Sequence, residues 1–362
     1  MKVLKFGGTS VGTVQSITEV TEIIQKKHSK SKGTAVVFSA MSGVTNKLLE
    51  AGQIAAAGNT GYTTLLNTLE DRHFEVIKAL VPVKSQSAIL ARVKGELNDL
   101  EDFLKGITYI RELSPRTCDF LLSFGERLST QMIAYILKER GLSAQYIDAR
   151  TLIRTNSRYG FAEVNSTVSH ENIIAQIADP DTIYCITGFI AADEDGITTT
   201  LGRGGSDYTA SLVGAALNAD VIEIWTDVNG MMTADPRKVK NAFSIPEISY
   251  TEAMELSHFG AKVIYPPSLI PAFQRNIPIR ILNTFESSHP GTVITKTVPQ
   301  KAYSITGISS IDDIALINLQ GNGMIGVAGV SAKLFGLLAE NRISVILITQ
   351  ASSEHSICFA VE

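Results

Sequence analysis

The amino-acid sequence predicts an α/β protein in which a mostly parallel sheet is followed by a smaller α+β unit. Short apolar strands alternate with helical patterns from the first residues onward, which is typical of βαβ units. The chain has 362 residues, enough for two or three domains at about 150 residues each. Hydrophobic residues make up 44% of the chain and charged residues 19%, so disorder is excluded as its main state.

The first βαβ unit lies at the start of the chain. Residues 3–6 form an apolar strand, and a glycine-containing turn at 7–10 follows it. Apolar residues then recur at helical spacing from 14 to 24, and residues 34–39 form the next buried strand. This succession predicts two parallel strands connected by a helix.

The middle of the chain continues the alternation of helices and strands. Residues 46–140 have mainly helical patterns, broken near 58–61 and 114–115. Beyond them the patterns predict strands at 146–148, 183–186, 197–201, 221–225 and 279–282, and helices at 208–216 and 251–255. Residues 197–201 could instead be one arm of a hairpin.

A domain boundary is expected near residue 300. Beyond it, residues 314–319, 344–349 and 355–361 read as strands and residues 329–341 as a helix. This βαββ order predicts a small α+β unit. Because a small sandwich of this kind normally has a second helix and a fourth strand, we expect the unit to be partial and the chain to be a piece of a longer protein.

Charge and cysteine usage exclude several function classes. The chain has 32 Lys and Arg against 36 Asp and Glu, a net charge of -4, which argues against nucleic-acid binding. Its three cysteines lie far apart and form no CxxC pair, and the six histidines have no metal-ligand spacing. We therefore expect no protein-held metal and no Ser/His/Asp triad. Without a signal peptide or a long apolar run, a cytoplasmic location is predicted.

The first candidate site is the turn after the first strand. Lys5 lies near the end of that strand, Gly7 and Gly8 let backbone N–H groups approach an anion, and Ser10 precedes the helix. This arrangement suits a phosphate group, although the P-loop and GxGxxG patterns are both missing. The alternative is a tight strand-to-helix turn with a surface lysine.

A second candidate is the glycine-rich stretch 200–207. Arg203, among three glycines, offers a planar fork for a carboxylate or a phosphate. Asp207 is predicted at the start of the next helix. There it either orients a ligand or acts only as a helix cap. An ordinary cap does not require an arginine and three glycines before it, so we favour a functional site.

Further polar residues follow the strand at 221–225. Thr226 and Asp227 stand where open α/β sheets bind ligands, and Arg237 could face a phosphate. Lys262, between Ala261 and an apolar stretch, is another possible phosphate ligand. The alternatives are a hairpin, an Asp-Pro turn and a solvated lysine.

The remaining candidates suit a small polar substrate. Glu126, in an otherwise apolar helix, could bind an ammonium group, or it could lie on a solvated helix face. Ser39 and Thr45 could contact the substrate or serve only as caps. Together with the lysines, arginines and glycine-rich turns, these residues predict phosphoryl transfer, which depends on positioning and charge neutralisation.

The motifs stand in the order seen in aspartokinases, and the sequence resembles that group of the amino acid kinase family over nearly its whole length. The resemblance rests on these stretches: KFGGTS at 5–10, GRGGSD at 202–207, WTDV at 225–228, DPR at 235–237 and FGAK at 259–262. It implies a three-layer α/β/α sandwich, the amino acid kinase fold, followed by a partial ACT regulatory domain at 301–362. It also implies a catalytic domain over 1–300, with a substrate lobe at about 1–195 and a nucleotide lobe at about 196–300.

The resemblance implies an aspartate kinase, which converts ATP and L-aspartate to ADP and 4-phospho-L-aspartate at the start of lysine, threonine and methionine synthesis. The catalytic residues would be Lys5, which stabilises the transferring phosphoryl group, and Asp207, which organises the phosphate-binding lysines. The α-carboxylate and ammonium of aspartate would bind Arg203 and Glu126, and Ser39 and Thr45 would line the substrate pocket. ATP would contact Gly7, Gly8, Ser10, Thr226, Asp227, Met232, Arg237 and Lys262, and Mg²⁺ would arrive with it.

One departure from the family pattern concerns Met232. Related enzymes often have a tyrosine there, beside the nucleotide. Methionine would still supply an apolar wall for the adenine.

The C-terminal stretch is similar to that of threonine-sensitive, bifunctional aspartokinase–homoserine dehydrogenases. The resemblance implies threonine as an allosteric effector, with Gln350 and Asn322 as effector contacts, and a homodimer or higher homo-oligomer for the full-length protein. A polar run at a strand edge is the alternative for this stretch.

Two other functions are considered. One is another amino acid kinase that acts on glutamate or carbamate, and the other is an effector-binding homologue without catalysis. Arg203 and Glu126 together could bind a zwitterion, which favours an amino acid over carbamate. The set of Lys5, Arg203 and Asp207 favours a working enzyme.

Overall fold

The computed structural model describes residues 1–30, 32–258, 263–298, 305–321, 324, 326–341, 343–350 and 356–361, without the His258 side chain. Lys262 and Asn322 therefore lie outside the described residues. The chain divides into two compact units, Met1–Ser309 and Ser310–Glu362, and each is described by itself. No described helix combines the length and the apolar character that a membrane crossing requires.

The first unit alternates strands and helices. Its strands are β1 (Lys2–Phe6), β2 (Thr34–Phe38), β3 (Ala144–Ile147), β4 (Arg154–Thr155), β5 (Ile183–Thr187), β6 (Ile190–Asp193), β7 (Thr198–Thr200), β8 (Val221–Thr226), β9 (Glu247–Ser249), β10 (Ile279–Asn283) and β11 (Thr292–Thr295). Its α-helices are α1 (Val14–Lys30), α2 (Val44–Ala56), α3 (Tyr62–Leu80), α4 (Val83–Ile110), α5 (Pro115–Glu139), α6 (Ser166–Gln176), α7 (Gly205–Ala216), α8 (Tyr250–His258) and α9 (Ile270–Gln274).

Eight of these strands form one mixed sheet in the order β3-β5-β2-β1-β8-β10-β11-β9. The pairs from β3 to β10 are parallel, whereas β11 runs antiparallel to β10. β1 lies between β2 and β8, and its Lys5 stands opposite Val37 and Ile224. A small second sheet has the order β4-β6-β7.

Helices cover both faces of the large sheet. Successive side chains of a strand point to opposite faces, so Leu4 and Phe6 pack in one core with helices α1 to α5. Val3 points the other way and packs in a second core with residues of α7 and α8. Phe6 stacks between Phe38 and Trp225, with both ring-centroid distances at 5.9 Å. The predicted three-layer α/β/α sandwich is confirmed.

Two helix boundaries differ from the predicted ones. The sequence pattern missed a break at Pro82, where α3 ends and α4 begins. Proline lacks an N–H group and cannot continue α3, but it is tolerated at the start of α4. The helix predicted at 208–216 begins three residues earlier, at Gly205, because Gly204 adopts a left-handed conformation with φ of 69° and ends the preceding turn.

The second unit has the predicted βαββ order. It consists of β12 (Ala315–Gln320), α10 (Val330–Glu340), β13 (Val345–Gln350) and β14 (Ser356–Val361). The strands pair antiparallel in the order β12-β14-β13. Leu334 and Phe335 of α10 pack on Ile357 and Phe359 of β14, so one face of the sheet is covered by the helix.

Candidate active site

A cleft of about 520 Å³ lies at the carboxyl ends of β1, β2 and β8, where α2 and α7 begin. Nine residues that the sequence singled out line it: Lys5, Gly7, Gly8, Ser39, Thr45, Glu126, Asp207, Thr226 and Asp227. This location agrees with the general placement of ligands at the carboxyl edge of open α/β sheets. The structure thus brings together most of the candidate residues.

An ion pair joins Lys5 and Asp207 inside the cleft. Lys5 Nζ lies 2.6 Å from Asp207 Oδ1, and each side chain is only 11% exposed. The pair forms because Lys5 points to the same sheet face as Val3, where α7 packs, and Asp207 lies in the first turn of α7. Two candidates from separate motifs that are distant in the sequence therefore form one group.

The glycine turn after β1 lets two loops approach closely. The Gly7 N–H donates to the Trp225 carbonyl at 3.2 Å, and the Gly8 carbonyl accepts from the Ser42 N–H at 3.0 Å. A Cβ on Gly8 would lie 3.1 Å from the carbonyl oxygen of Ala40. Glycine therefore allows the loop after β1 to lie against the loop after β2.

A helix N-terminus also opens into the cleft. Gly204, Gly205 and Ser206 line the cleft at the start of α7. The first N–H groups of a helix have no partner within the helix and, with the helix dipole, attract anions. This end of the cleft is therefore suited to a phosphate group.

Glu126 lines the cleft and is buried, and one of its carboxylate oxygens has no partner among the described residues. Its Oε1 accepts from the Ala40 N–H at 3.2 Å, while Oε2 has no hydrogen-bond partner among the described residues. Burial raises the pKa of this carboxyl to about 8, and the Ala40 hydrogen bond opposes that rise only in part. A cation in the cleft would satisfy Oε2 and lower this pKa.

Ser39 and Thr45 line the same cleft, after β2 and at the start of α2. The Ser39 N–H donates to the Phe6 carbonyl at 3.1 Å, and its carbonyl accepts from Ser129 Oγ at 2.8 Å. These bonds fix the Ser39 backbone at the end of β2. Thr45 is the second residue of α2, so both half-buried side chains reach the cleft from fixed positions.

Four other candidates lie away from the cleft lining. Ser10 is fully buried and shares a 2.7 Å hydrogen bond with Thr284 Oγ1. The Arg237 guanidinium is exposed and forms an ion pair with Asp235 at 2.8 Å. Met232 pairs with Ser244 in an isolated β-bridge.

Arg203 is the fourth of these residues. Its exposed side chain lines a neighbouring pocket of about 280 Å³ with Phe161, Tyr208 and Tyr265. Its neighbours Gly202 and Gly204 line the cleft itself. The Arg203 backbone therefore lies at the border of the two cavities.

The sequence did not single out Phe189 or Arg72. Phe189 lines the cleft with a left-handed φ of 68°, which a non-glycine residue rarely adopts and which no sequence pattern indicated. The Arg72 guanidinium of α3 donates to the Ser42 carbonyl at 2.9 Å and to the Gly12 carbonyl at 3.2 Å. It thereby ties the loop after β1 to the loop after β2.

Within the described part of the chain, no group of three or more His, Cys, Asp and Glu side chains is arranged to bind an ion. Asp227 lies in the cleft as a single exposed carboxylate. Such a site suits a cation that arrives on a phosphate ligand and keeps several waters.

Comparison with known proteins identifies the family. A model described as the amino acid kinase family matches residues 1–283. The chain belongs to the amino acid kinase family. A model described as an ACT domain matches residues 317–362. The amino acid kinase fold and the ACT domain expected from the sequence are both confirmed.

Curated bifunctional aspartokinase/homoserine dehydrogenases match almost the whole chain. The bifunctional aspartokinase/homoserine dehydrogenase 2, chloroplastic, of Arabidopsis thaliana is 37% identical over 365 residues, which cover 99% of this chain and 40% of the relative. The bifunctional aspartokinase/homoserine dehydrogenase of Haemophilus influenzae is 35% identical, over 100% of this chain and 44% of the relative. The amino acid kinase chain described here thus spans less than half the length of these relatives.

Solved aspartokinases have the same fold. Aspartokinase III of E. coli, in complex with aspartate and ADP, is 32% identical with a TM-score of 0.84, over 100% of this chain and 78% of that one. An aspartate kinase of Clostridium acetobutylicum is 23% identical with a TM-score of 0.70, over 100% and 96% of the two chains, and shows the fold alone. The resemblance to aspartokinases is therefore confirmed.

Proposed function

We propose that this chain is an aspartate kinase that transfers the γ-phosphoryl group of ATP to the β-carboxylate of L-aspartate. The observation that carries this proposal is the cleft in which the Lys5–Asp207 pair and the free oxygen of Glu126 occur together. A phosphate-binding lysine and an ammonium-binding carboxylate in one cavity suit an amino acid as the phosphoryl acceptor. The E. coli relative in complex with aspartate and ADP supports the same pair of ligands.

Aspartate is bound through its two charged ends in this proposal. Its ammonium group donates to Glu126 Oε2, and Ser39 and Thr45 contact its polar atoms. Its α-carboxylate pairs with the Arg203 guanidinium in a bidentate manner. For this contact the Arg203 side chain turns from the neighbouring pocket into the cleft. Its backbone need not move, because it already lies at the border of the two cavities.

ATP is bound by backbone and side-chain groups at the other end of the cleft. The turn at Gly7 and Gly8 and the N-terminus of α7 contact the phosphates. Thr226 and Asp227 lie where the nucleoside would extend along the end of β8. Roles for Ser10, Met232, Arg237 and Lys262 in ATP binding stay predictions.

The residues of the cleft fit a Mg²⁺ ion that is carried by ATP. Asp227 is exposed in the cleft and could take one coordination position, while phosphate oxygens and waters supply the rest. When bound, the ion neutralises negative charge on the phosphates. The chain's own contribution is the ammonium of Lys5, which the Asp207 carboxylate holds in place.

The chemical step needs little acid–base catalysis. An oxygen of the aspartate β-carboxylate forms a bond to the γ-phosphorus, and the bond from that phosphorus to the oxygen bridging to the β-phosphate breaks. ADP leaves with the electron pair, and the ionised carboxylate has no proton to lose. Catalysis therefore depends on alignment and on charge stabilisation by Lys5 and the helix N-terminus.

Regulation and assembly extend this proposal. The ACT match and the similarity to bifunctional relatives support feedback control by threonine, through Gln350 and Asn322, at the first step of lysine, threonine and methionine synthesis. A homodimer or higher homo-oligomer of the full-length protein and a cytoplasmic location also stay predictions.

The test is a comparison of acceptor substrates. Purified protein with ATP and Mg²⁺ should release ADP with aspartate and trap the acyl phosphate as aspartyl hydroxamate when hydroxylamine is added. Glutamate and carbamate should give little ADP. Activity with glutamate or carbamate alone would move the protein to another branch of the family, and threonine binding without any ADP release would indicate a homologue without catalysis.

A further inference from the structure

Helix α5 carries two buried carboxylates on one face. Asp119 and Glu126 are 1% and 3% exposed and stand seven residues apart, which is two helical turns or about 10 Å along the axis. Glu126 lines the cleft and keeps one oxygen without a hydrogen-bond partner among the described residues. Asp119 is bonded through both of its oxygens, so the two carboxylates serve different purposes.

The Asp119 carboxylate joins two segments that are distant in sequence. Its Oδ2 accepts from the backbone N–H groups of Gly160 and Thr200, both at 2.9 Å. Its Oδ1 accepts from Thr200 Oγ1 at 2.7 Å. A second link runs alongside, since the Ala162 N–H donates to the Thr200 carbonyl at 2.9 Å. Thr200 and the turn at 160–162 are thereby fixed to each other and to α5.

Both segments flank the backbone of Arg203. Thr200 ends β7, three residues before Arg203, and Phe161 follows Gly160 directly. The Phe161 ring packs on Gly202 so closely that a Cβ there would meet Phe161 Cδ2. Asp119 therefore fixes the strand that leads into the Arg203 loop and also the turn that covers it.

We infer that Asp119 is a positioning residue that holds the Arg203 loop at a set distance from Glu126, and so matches the site to the spacing between the ammonium and the α-carboxylate of an amino acid substrate. The inference rests on the proposed function. Asp119 itself contacts no substrate, since it is buried behind β7 and is not part of the cleft lining. It acts through the backbone on either side of Arg203.

A purely structural role is the competing explanation, because removal of the Asp119 carboxylate would leave three buried donors without a partner and destabilise the fold. The two explanations differ in their coupling to Arg203. A residue that acts through Arg203 loses its effect on aspartate binding once the guanidinium is gone, whereas an independent residue does not.

The experiment is a double-mutant cycle on the full chain with Asp119→Ala, Arg203→Ala and the double variant. Each single variant should raise the KM for aspartate by about 10- to 100-fold, as expected for a misplaced binding group. The double variant should be no weaker than Arg203→Ala alone, and the KM for ATP should change by less than about twofold in all three. Ile89→Val changes a buried residue of α4 and serves as the control for a small loss of stability. This variant should leave the KM for aspartate unchanged.

The inference would be overturned if the KM increases of the two single variants multiply in the double variant. An unchanged KM for aspartate in Asp119→Ala would also overturn it. If Asp119→Ala does not fold, Phe161→Leu replaces it, because that half-exposed ring packs on Gly202 outside the core. The same cycle then applies. Wild-type protein that fails to phosphorylate aspartate contradicts the proposed function itself, which separates that failure from the failure of this inference.

Discussion

At the scale of single residues, the Lys5–Asp207 pair is the feature on which the proposed transfer depends. Both side chains are 11% exposed, so their attraction is screened less than that of a surface pair. The pair holds the lysine ammonium in one place before any nucleotide binds. Charge stabilisation by a preorganised group costs little reorganisation during the reaction.

Replacement of Lys5 by methionine should abolish most of the activity. Lys5→Met removes the positive charge near the transferring group, so kcat should fall by about 100- to 1,000-fold while the KM for aspartate changes little. The measurement is steady-state ADP release. Lys2→Met, on the same strand but the opposite sheet face, is the matched control and should keep wild-type kcat. Equal rates for Lys5→Met and wild type would remove Lys5 from the mechanism.

The Glu126 carboxyl should make aspartate binding depend on pH. With its pKa raised to about 8 by burial, the carboxyl is protonated in the empty cleft below that pH, whereas an ammonium binds the ionised form. The KM for aspartate should therefore fall by about tenfold for each unit of pH rise up to about 8, and then level off. Glu126→Gln should remove this pH dependence, and above the pKa of Glu126 it should raise the KM for aspartate by about 10- to 100-fold.

Unfolding of the ligand-free protein provides an independent check on Glu126. The folded-state pKa of about 8 lies above the ordinary value of 4.5, so between these values the folded protein binds more protons than the unfolded chain. The contribution of Glu126 to stability is therefore lost as pH rises through this window. Glu126→Gln should flatten the decline in melting temperature. An identical decline in wild type and variant would contradict the assignment of the raised pKa.

At the scale of elements, the sequence predicted the parts that depend on local pattern. β1 and its turn followed from an apolar run and two glycines, and Lys5 and Asp207 were both singled out. The family resemblance implied that Asp207 organises phosphate-binding lysines, but the residue pattern alone did not predict this ion pair, because the pair depends on α7 packing against the face of β1 that Lys5 occupies. The left-handed φ of Phe189 also left no sequence signal, since the surrounding packing imposes it.

Helix α3 contributes to the site through Arg72. Its guanidinium bonds the carbonyl groups of Gly12 and Ser42, so it fixes the two loops that form one wall of the cleft. Arg72→Met should raise the KM for ATP and lower kcat, because the two loops lose their common hydrogen-bond donor. The combined effect should lower kcat/KM by about tenfold. Steady-state kinetics with ATP as the varied substrate gives both values.

The control for Arg72 is a cation on the neighbouring helix. Lys94 of α4 pairs with Glu70 of α3 at 2.6 Å, and among the described residues it has no hydrogen bond or ion pair to either loop. Lys94→Met should therefore leave kcat/KM for ATP unchanged, since exposed ion pairs contribute little to stability. If Lys94→Met and Arg72→Met lower activity equally, the loss reflects the helical layer in general and not the two loops.

At the scale of the whole molecule, the chain combines a unit that matches the amino acid kinase family with a unit that matches the ACT domain. In the second unit, Gln350 at the end of β13 accepts a hydrogen bond from Ser331 Oγ at 3.3 Å, near the N-terminus of α10. An amide, a hydroxyl and a helix N-terminus together suit the carboxylate and hydroxyl of an amino acid. Asn322 lies outside the described residues.

Threonine should therefore inhibit the kinase reaction, and lysine should not. A ligand changes activity only as far as it binds one conformation better than another, and the coupling in such systems is typically about fivefold or more. The measurement is aspartyl hydroxamate formation with and without each amino acid. In Gln350→Ala, the rate with threonine divided by the rate without it should approach one.

Thr349→Ala is the matched control, because neighbouring side chains of a strand point to opposite faces. This variant should keep the wild-type ratio of the two rates. Inhibition by lysine alone, or a ratio that Gln350→Ala leaves unchanged, would contradict this assignment of the effector.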